Sequence, residues 1–514
     1  MKGMSRIALI CATIFTTASI VSACSSGNTS SQGSQSPSAS PAQAVDNTPL
    51  ELSLAIKQVG DIPAKGNAIE QAMEKYTNTK LDIQWIPSAA FADKINVMIA
   101  SNEMPKLMDV EYTPNILNAA QSGIFWEIGP YLKEFKNLSA QNELFFNNIK
   151  VEGKIYGVPL FRNMGRAAIV YRKDWFDALN LKTPKTLDEY YEVIKALTLN
   201  DPDKNGKNDT YGMVLFKKYN EGVAAVTTRL AVSQGAPNKW AVDKDGNFTP
   251  EFMSKEYHDV LKLFKRLYDE KLLNQDFAVL DNTEVEKMMD SGRLGMRNAV
   301  ATNGKSQQDR LSKANSNAVV DVFSLEGPQG IRIASENGNN GFLVIPKSSV
   351  KTEAEVKRIL GFLDKLMDPE MSTLLLRGIE GKHFAKTNDN RTEFVTDGFN
   401  LFQREVKPYR DNLTVLEGYN VLPLKDVAIG EKGTKMESEG IKYIVPNPAL
   451  TLTSATYNEK GKELDQQIWD AQTKFIMGKL DEAGYQAEIE KWKKSGGEKV
   501  MAEYKEMYLK QNKK

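Results

Sequence analysis

Leu50, Leu52, Leu54 and Ile56 alternate with small or polar residues, the period-2 pattern of a half-buried strand. Ile69, Met73 and Tyr76 then recur at helical spacing, and Leu81, Ile83 and Trp85 alternate again. Strand, helix and strand in close succession make a βαβ unit, so the predicted fold class is α/β. Further strands are predicted at 168–171, 319–323 and 342–345. Helices have sharper boundaries. Pro184 and Thr186 precede an apolar face of Leu187, Tyr190, Tyr191, Ile194 and Leu197, and Glu189 completes a capping box with Thr186. Thr352 and Glu355 repeat that box ahead of Ile359, Phe362, Leu363 and Leu366. A third helix is predicted over 260–273, and Tyr485, Ile489, Trp492, Val500, Tyr504 and Tyr508 mark terminal helices. No repeat of solenoid or propeller period is present.

Size changes the picture first. With 514 residues the chain exceeds what one hydrophobic core usually spans, so two or more lobes are expected. Lys plus Arg and Asp plus Glu each number 66; that balance argues against a basic nucleic-acid surface, and no nucleic-acid partner is expected. A 41% hydrophobic and 26% charged composition is that of a folded protein. Two Cys and two His leave no room for a disulfide scaffold or a multi-His metal centre.

The N-terminus reads as an export signal over 1–23. Lys2 and Arg6 precede an apolar stretch over 7–21 that is too short and too rich in Thr and Ser to span a bilayer well. It ends in Val21-Ser22-Ala23-Cys24, which resembles the lipobox of bacterial lipoproteins. That resemblance implies diacylglycerol on the Cys24 thiol and attachment to the extracellular face of the membrane through lipid alone. A plain secretory signal is the alternative. Residues 24–49 are Ser, Gly, Gln, Pro, Ala and Thr with few large apolar groups, the composition of a flexible tether.

One loop carries metal-ligand spacing. Asp201, Asp203, Asn205 and Asp209 occupy positions 1, 3, 5 and 9 of a calcium loop, with Gly206 at 6 and the Lys207 carbonyl at 7. Gly212 stands where a bidentate Glu closes a helix-loop-helix sensor, so a structural Ca²⁺ is expected with its last ligand supplied from elsewhere. These residues also form metal-free turns.

Catalytic motifs are missing. His258 and His383 stand apart in no metal-binding pattern, there is no Gly-x-Ser-x-Gly elbow, and Asn303-Gly304-Lys305-Ser306 lacks the first Gly of a P-loop. No enzyme is expected, although glycosidase-type acid pairs cannot be read from sequence. Among the six Trp, Trp240 lies between the breakers Gly235-Ala-Pro237 and Asp243-Lys-Asp-Gly246, where burial is less automatic.

Several blocks together resemble the family 1 extracellular solute-binding proteins of bacterial ABC importers, in their oligosaccharide-binding lipoprotein branch. They are Gly153-Lys-Ile-Tyr156-Gly157-Val-Pro159, Tyr171-Arg-Lys-Asp174-Trp175, Thr183-Pro-Lys-Thr186, the loop ending in Asp209-Thr-Tyr211-Gly212, Gly235-Ala-Pro-Asn-Lys-Trp240, and Gly378-Ile-Glu-Gly381-Lys-His383-Phe384. The resemblance implies a two-lobe clamshell with discontinuous lobes, a hinge, and ligand in the cleft. Lobes are expected at 50–160 with about 300–345, and at about 161–299 with 346–514. It implies a monomer that hands an oligosaccharide to the transmembrane subunits of a permease. A lipid-anchored glycan-active enzyme and a binding protein for a non-sugar solute such as a peptide are the alternatives.

Sugars present C–H faces and hydroxyl rings, so their sites combine aromatic platforms with polar side chains. Trp240 is the expected platform. Asp109 and Tyr112 follow a predicted strand, where open α/β sheets bind ligands. Arg162 and Asn163 follow the first expected crossing, and Asn339 and Asn340 precede a later strand.

Overall fold

The computed structural model describes residues 48–58 and 60–512. The signal segment, Cys24 and nearly all of the tether lie outside them. The predicted βαβ unit forms: Leu50–Gln58 and Thr79–Pro87 pair in parallel, joined through the helix Ala68–Thr77. Asn67 caps that helix by accepting hydrogen bonds from the Ile69 and Glu70 N–H groups. Leu107–Val110 adds a third parallel strand; Asn339–Val344 follows antiparallel to it, and Gly157–Phe161, antiparallel to that strand, runs with the first three, giving five strands. Leu52, Leu54 and Ile56 face one core; Ala55, Met108 and Val344 face another on the opposite side.

A second sheet has three antiparallel strands, with Ala167–Arg172 between Met296–Val300 and Val320–Ser324. The capping box at Thr186 and Glu189 is present in both directions and opens the helix Leu187–Leu199. The expected helix over 260–273 begins earlier and ends sooner, at Lys255–Asp269, because Ser254 caps it and Lys271 turns to positive φ. Tyr257, Val260, Leu261 and Phe264 bury its apolar face beside the terminal helices Ala455–Ile476, Glu482–Trp492 and Glu498–Asn512.

Residue allocation differs from the expected boundaries. Of 300–345, only Asn339–Val344 joins the first sheet, since Val320–Ser324 finds its backbone partners in Ala167–Arg172. Of 346–514, the helices Glu353–Lys365 and Pro369–Arg377 bury Val356, Ile359, Leu363 and Leu375 in the core of the first sheet. Residues 449–504 contribute to the other core.

Between the sheets the backbone segments lie side by side. Arg162 N–H donates to Gly338 O at 2.9 Å, Glu336 N–H to Met164 O at 3.0 Å, and Ser335 N–H to Val445 O at 3.1 Å. Asn238 donates from Nδ2 to both Ser335 O and Val445 O, at 3.1 and 2.9 Å. Gly165 and Gly440 touch through their backbones; a Cβ on Gly165 would fall 2.3 Å from the Gly440 carbonyl carbon, so no side chain fits there.

Trp240 belongs to this packing rather than to a free loop. It begins a short hairpin, Trp240–Val242 paired with Phe248–Pro250, and its half-buried ring meets Tyr504 edge-on at 5.1 Å and Phe248 at 6.4 Å. The C-terminal helix covers the ring, a contact between residues far apart in the chain. Trp240→Ala is expected to cost about 2–3 kcal/mol of unfolding free energy, below the range for a fully buried Trp because the ring is half-exposed. Denaturant melts and titration calorimetry check this; weakened solute binding at native stability would contradict it.

Candidate functional site

A cavity of about 500 Å³ opens where the two sheets and the connecting segments meet. The end of strand Gly157–Phe161 supplies Leu160 and Phe161, and the connection that follows supplies Arg162, Asn163 and Arg166. Asn340 enters from a bulge in Asn339–Val344, where register shifts between Asn339 and Phe342. Thr302, and Thr434 and Glu437 from the helix Ala428–Glu439, close the other side. Arg410, Asp411 and Glu417 complete its charged wall.

Ion pairs organise that wall. Arg166 reaches Glu437 through Nε and Glu336 through Nη1, each at 3.2 Å. Glu437 also accepts from Thr302, at 2.9 Å from the backbone N–H and 2.7 Å from Oγ1. Glu336 accepts from Arg229 at 3.0 Å, and Arg229 further donates to Asn298 and to the Ala299 carbonyl. Burial pulls the Arg229 pKa below its usual value, with Glu336 opposing that shift. Glu417 takes a two-pronged contact from Arg377, at 2.8 and 2.6 Å. Asp411 is held by Arg410 at 2.6 Å and by Lys407.

Arg162 differs. Its side chain makes one hydrogen bond, from Nη1 to Asn340 Oδ1 at 2.8 Å, and no carboxylate among the described residues lies at ion-pair distance. Although the side chain reaches solvent, partial desolvation by the cavity wall and then the Arg166 charge lower its pKa, opposed by Glu336, Glu437 and Asp411. Asn163 and Thr434 make no side-chain hydrogen bond among the described residues, so their polar groups are available to a ligand.

Of the ligand candidates named from sequence, Arg162, Asn163 and Asn340 line this cavity. Asn339 instead shapes the bulge, accepting from Gly341 N–H at 3.2 Å. Asp109 is 1% exposed beneath it, with Oδ1 unpartnered; burial pushes its carboxyl up to about 8, so it is largely neutral at pH 7. Tyr112 donates its hydroxyl to Lys150 O at 2.7 Å and packs near Phe342. Neither residue lines the cavity, nor does Trp240. Only Tyr112 follows the strand's carboxyl end; Asp109 lies within Leu107–Val110, paired with Leu343, and Gly341 of the bulged neighbour packs against its carboxyl. Arg166, Thr302, Arg410, Thr434 and Glu437 were missed. Arg166 shares the connection that marked Arg162; the others come from distant segments with no local signal.

The calcium-type loop is a surface turn after Leu187–Leu199. Asp201 accepts from the Asn205 and Gly206 N–H groups, both at 3.0 Å, while Asn205 Nδ2 lies 2.8 Å from Asp203 and 3.2 Å from Asp209. The Gly206 contact leads in lowering the Asp201 pKa; burial, then the contact with Asp201, raises that of Asp203. Among the described residues no three acidic, His or Cys side chains enclose a metal. Gly212 cannot be replaced by a twelfth-position ligand, because a Cβ there would meet Ile194 O at 2.5 Å.

Comparison with known proteins gives this architecture its family. Lipoprotein LipO of Bacillus subtilis (strain 168) is 36% identical over 442 residues, covering 85% of this chain and 88% of that protein. The polygalacturonan/rhamnogalacturonan-binding protein YtcQ of the same organism is 36% identical over 451 residues, covering 87% and 89%. An extracellular solute-binding protein from Bifidobacterium longum subsp. infantis shares the fold, with a TM-score of 0.71 at 16% identity over 91% of this chain and 100% of that one. Its two-lobed α/β architecture is therefore the one seen here. The model of the bacterial extracellular solute-binding proteins matches residues 60–371. With both coverage and identity in agreement, the chain belongs to the bacterial extracellular solute-binding protein family, whose members bind solutes and are not enzymes.

Proposed function

We propose that the protein captures an oligosaccharide in the cavity between its two sheets and delivers it to the membrane-spanning subunits of an ABC importer, acting as a monomer. The observation that carries this reading is the placement of free donors, Arg162, Asn163 and Thr434, where segments of both sheets converge. Hydroxyl-rich ligands need such convergent polar groups. YtcQ, named for two glycans, supports the same class. In this reading 50–161 with 339–424 is one jaw, 167–334 with 449–512 is the other, and the segments between them are the hinge.

Binding only the native state, a cognate glycan at about 100 times its Kd should stabilise the protein by ~2.7 kcal/mol. A melting-temperature screen over oligosaccharides finds it, and chromatography should then recover the glycan intact. No shift with any sugar overturns the reading; a cleaved glycan favours an enzyme instead.

We extend the reading to the Cys24 lipid anchor and to a structural Ca²⁺. The oxygens of Asp201, Asp203, Asn205, Asp209 and the Lys207 carbonyl are the hard donors that Ca²⁺ prefers, and three carboxylates around one amide gain most from a cation. Chelation should lower the melting temperature, by a loss of about 3 kcal/mol if free calcium had been ~100-fold above Kd. An unchanged melting curve and no metal in the purified protein would leave an ordinary turn. Cys24→Ser should release folded protein to the medium, because lipid is the proposed sole attachment; fractionation showing equal membrane retention of both forms argues otherwise.

A further inference from the structure

We infer that the ligand is anionic, a glycan carrying uronic acid residues, and that Arg162 receives one of its carboxylates. The inference rests on the cavity being the solute site.

The charged wall is paired internally except at one point. Both Glu417 oxygens are taken by Arg377, and Asp411 is shared by Arg410 and Lys407. Glu437 is divided between Arg166 and Thr302. Every carboxylate lining the cavity therefore already has a cation, and none is free to repel an incoming anion strongly. Arg162 has only the neutral Asn340 oxygen. A guanidinium offers five N–H donors in a planar fork that fits a carboxylate two-pronged, so most of its capacity is unspent. Glu336, Glu437 and Asp411 act on Arg162 from beyond ion-pair distance, and each already has a closer cation.

The apolar side of the lining points the same way. Phe161 is the one aromatic residue there, and it is only 8% exposed. A neutral sugar held mainly by ring stacking needs an open aromatic face. This wall offers charge instead of that face. Asn163 and Thr434 can still take hydroxyls, so the site suits a polyhydroxylated acid better than a simple anion.

Titration calorimetry with trigalacturonate and trimannuronate, each against its methyl ester, tests this. The ester keeps the hydroxyls, removes the charge and adds a methyl group to each carboxyl, so the salt dependence and the Arg162→Gln variant separate charge from bulk. At least one acid is expected to bind roughly tenfold to a hundredfold more tightly than its ester, the range for a charge-assisted hydrogen bond. Arg162→Gln should erase that preference while leaving the melting temperature native, since the side chain is exposed; Arg162→Lys should keep part of it. Higher salt should shrink it. Esters or neutral glycans binding as well as the acids, or an acid preference surviving in Arg162→Gln, overturns the inference while the solute-binding reading stands. Failure of these acids and of every neutral oligosaccharide sinks both.

Discussion

The contact on which the architecture turns is the one between Gly165 and Gly440, where two backbones meet with no space for a Cβ. It brings the connecting segments close enough for the hydrogen bonds among residues 162–164, 335–338 and 445. Glu336 then lies within reach of both Arg166 and Arg229. Burying such charges costs solvation, and the cost is met only because each has a partner with good geometry. The result is a seam that presents Arg162, Asn163 and Arg166 to the cavity from a segment of five residues.

The same seam explains why the cavity is charged yet internally balanced. Its carboxylates pair with Arg166 of the connection and with Arg377, Lys407 and Arg410 of helices, while Arg162 is left facing the solvent. Among the charged side chains that line the cavity, Arg162 is the one with no ion-pair partner among the described residues. Exposed pairs are weak and screened, but a cavity wall that excludes water on one side strengthens the interaction.

Distant from the cavity, the turn at Asp201–Asp209 gathers carboxylates around Asn205. Its departure from a helix-loop-helix calcium site has a steric origin: Gly212 packs its backbone against Ile194 O, so the chain leaves as an extended segment beside Leu294 rather than as a second helix.

Local physics was legible in the sequence alone. Alternation at Leu50–Ile56, the capping box at Thr186, the N-cap half of the box expected at Thr352, and the oxygen spacing at Asp201–Asp209 each depend on neighbours a few residues away. The blocks from Gly153 to Phe384 pointed to the family, and three residues of the cavity lining, Arg162, Asn163 and Asn340, followed from where connections adjoin strands. Tertiary structure decided the rest. Periodicity marks a strand at 319–323 but not that Ala167–Arg172 is its partner, and it marks an apolar helix face at Ile359, Phe362 and Leu363 but not which core receives it. Trp240 read as a loop residue until a helix from the other end of the chain covered it, and Asp109 read as accessible until a bulge lay over it. Arg410 and Thr434 reach the cavity from segments hundreds of positions beyond Arg162. Pairing across such separations is selected by shape and burial over the whole molecule, which no window of sequence contains.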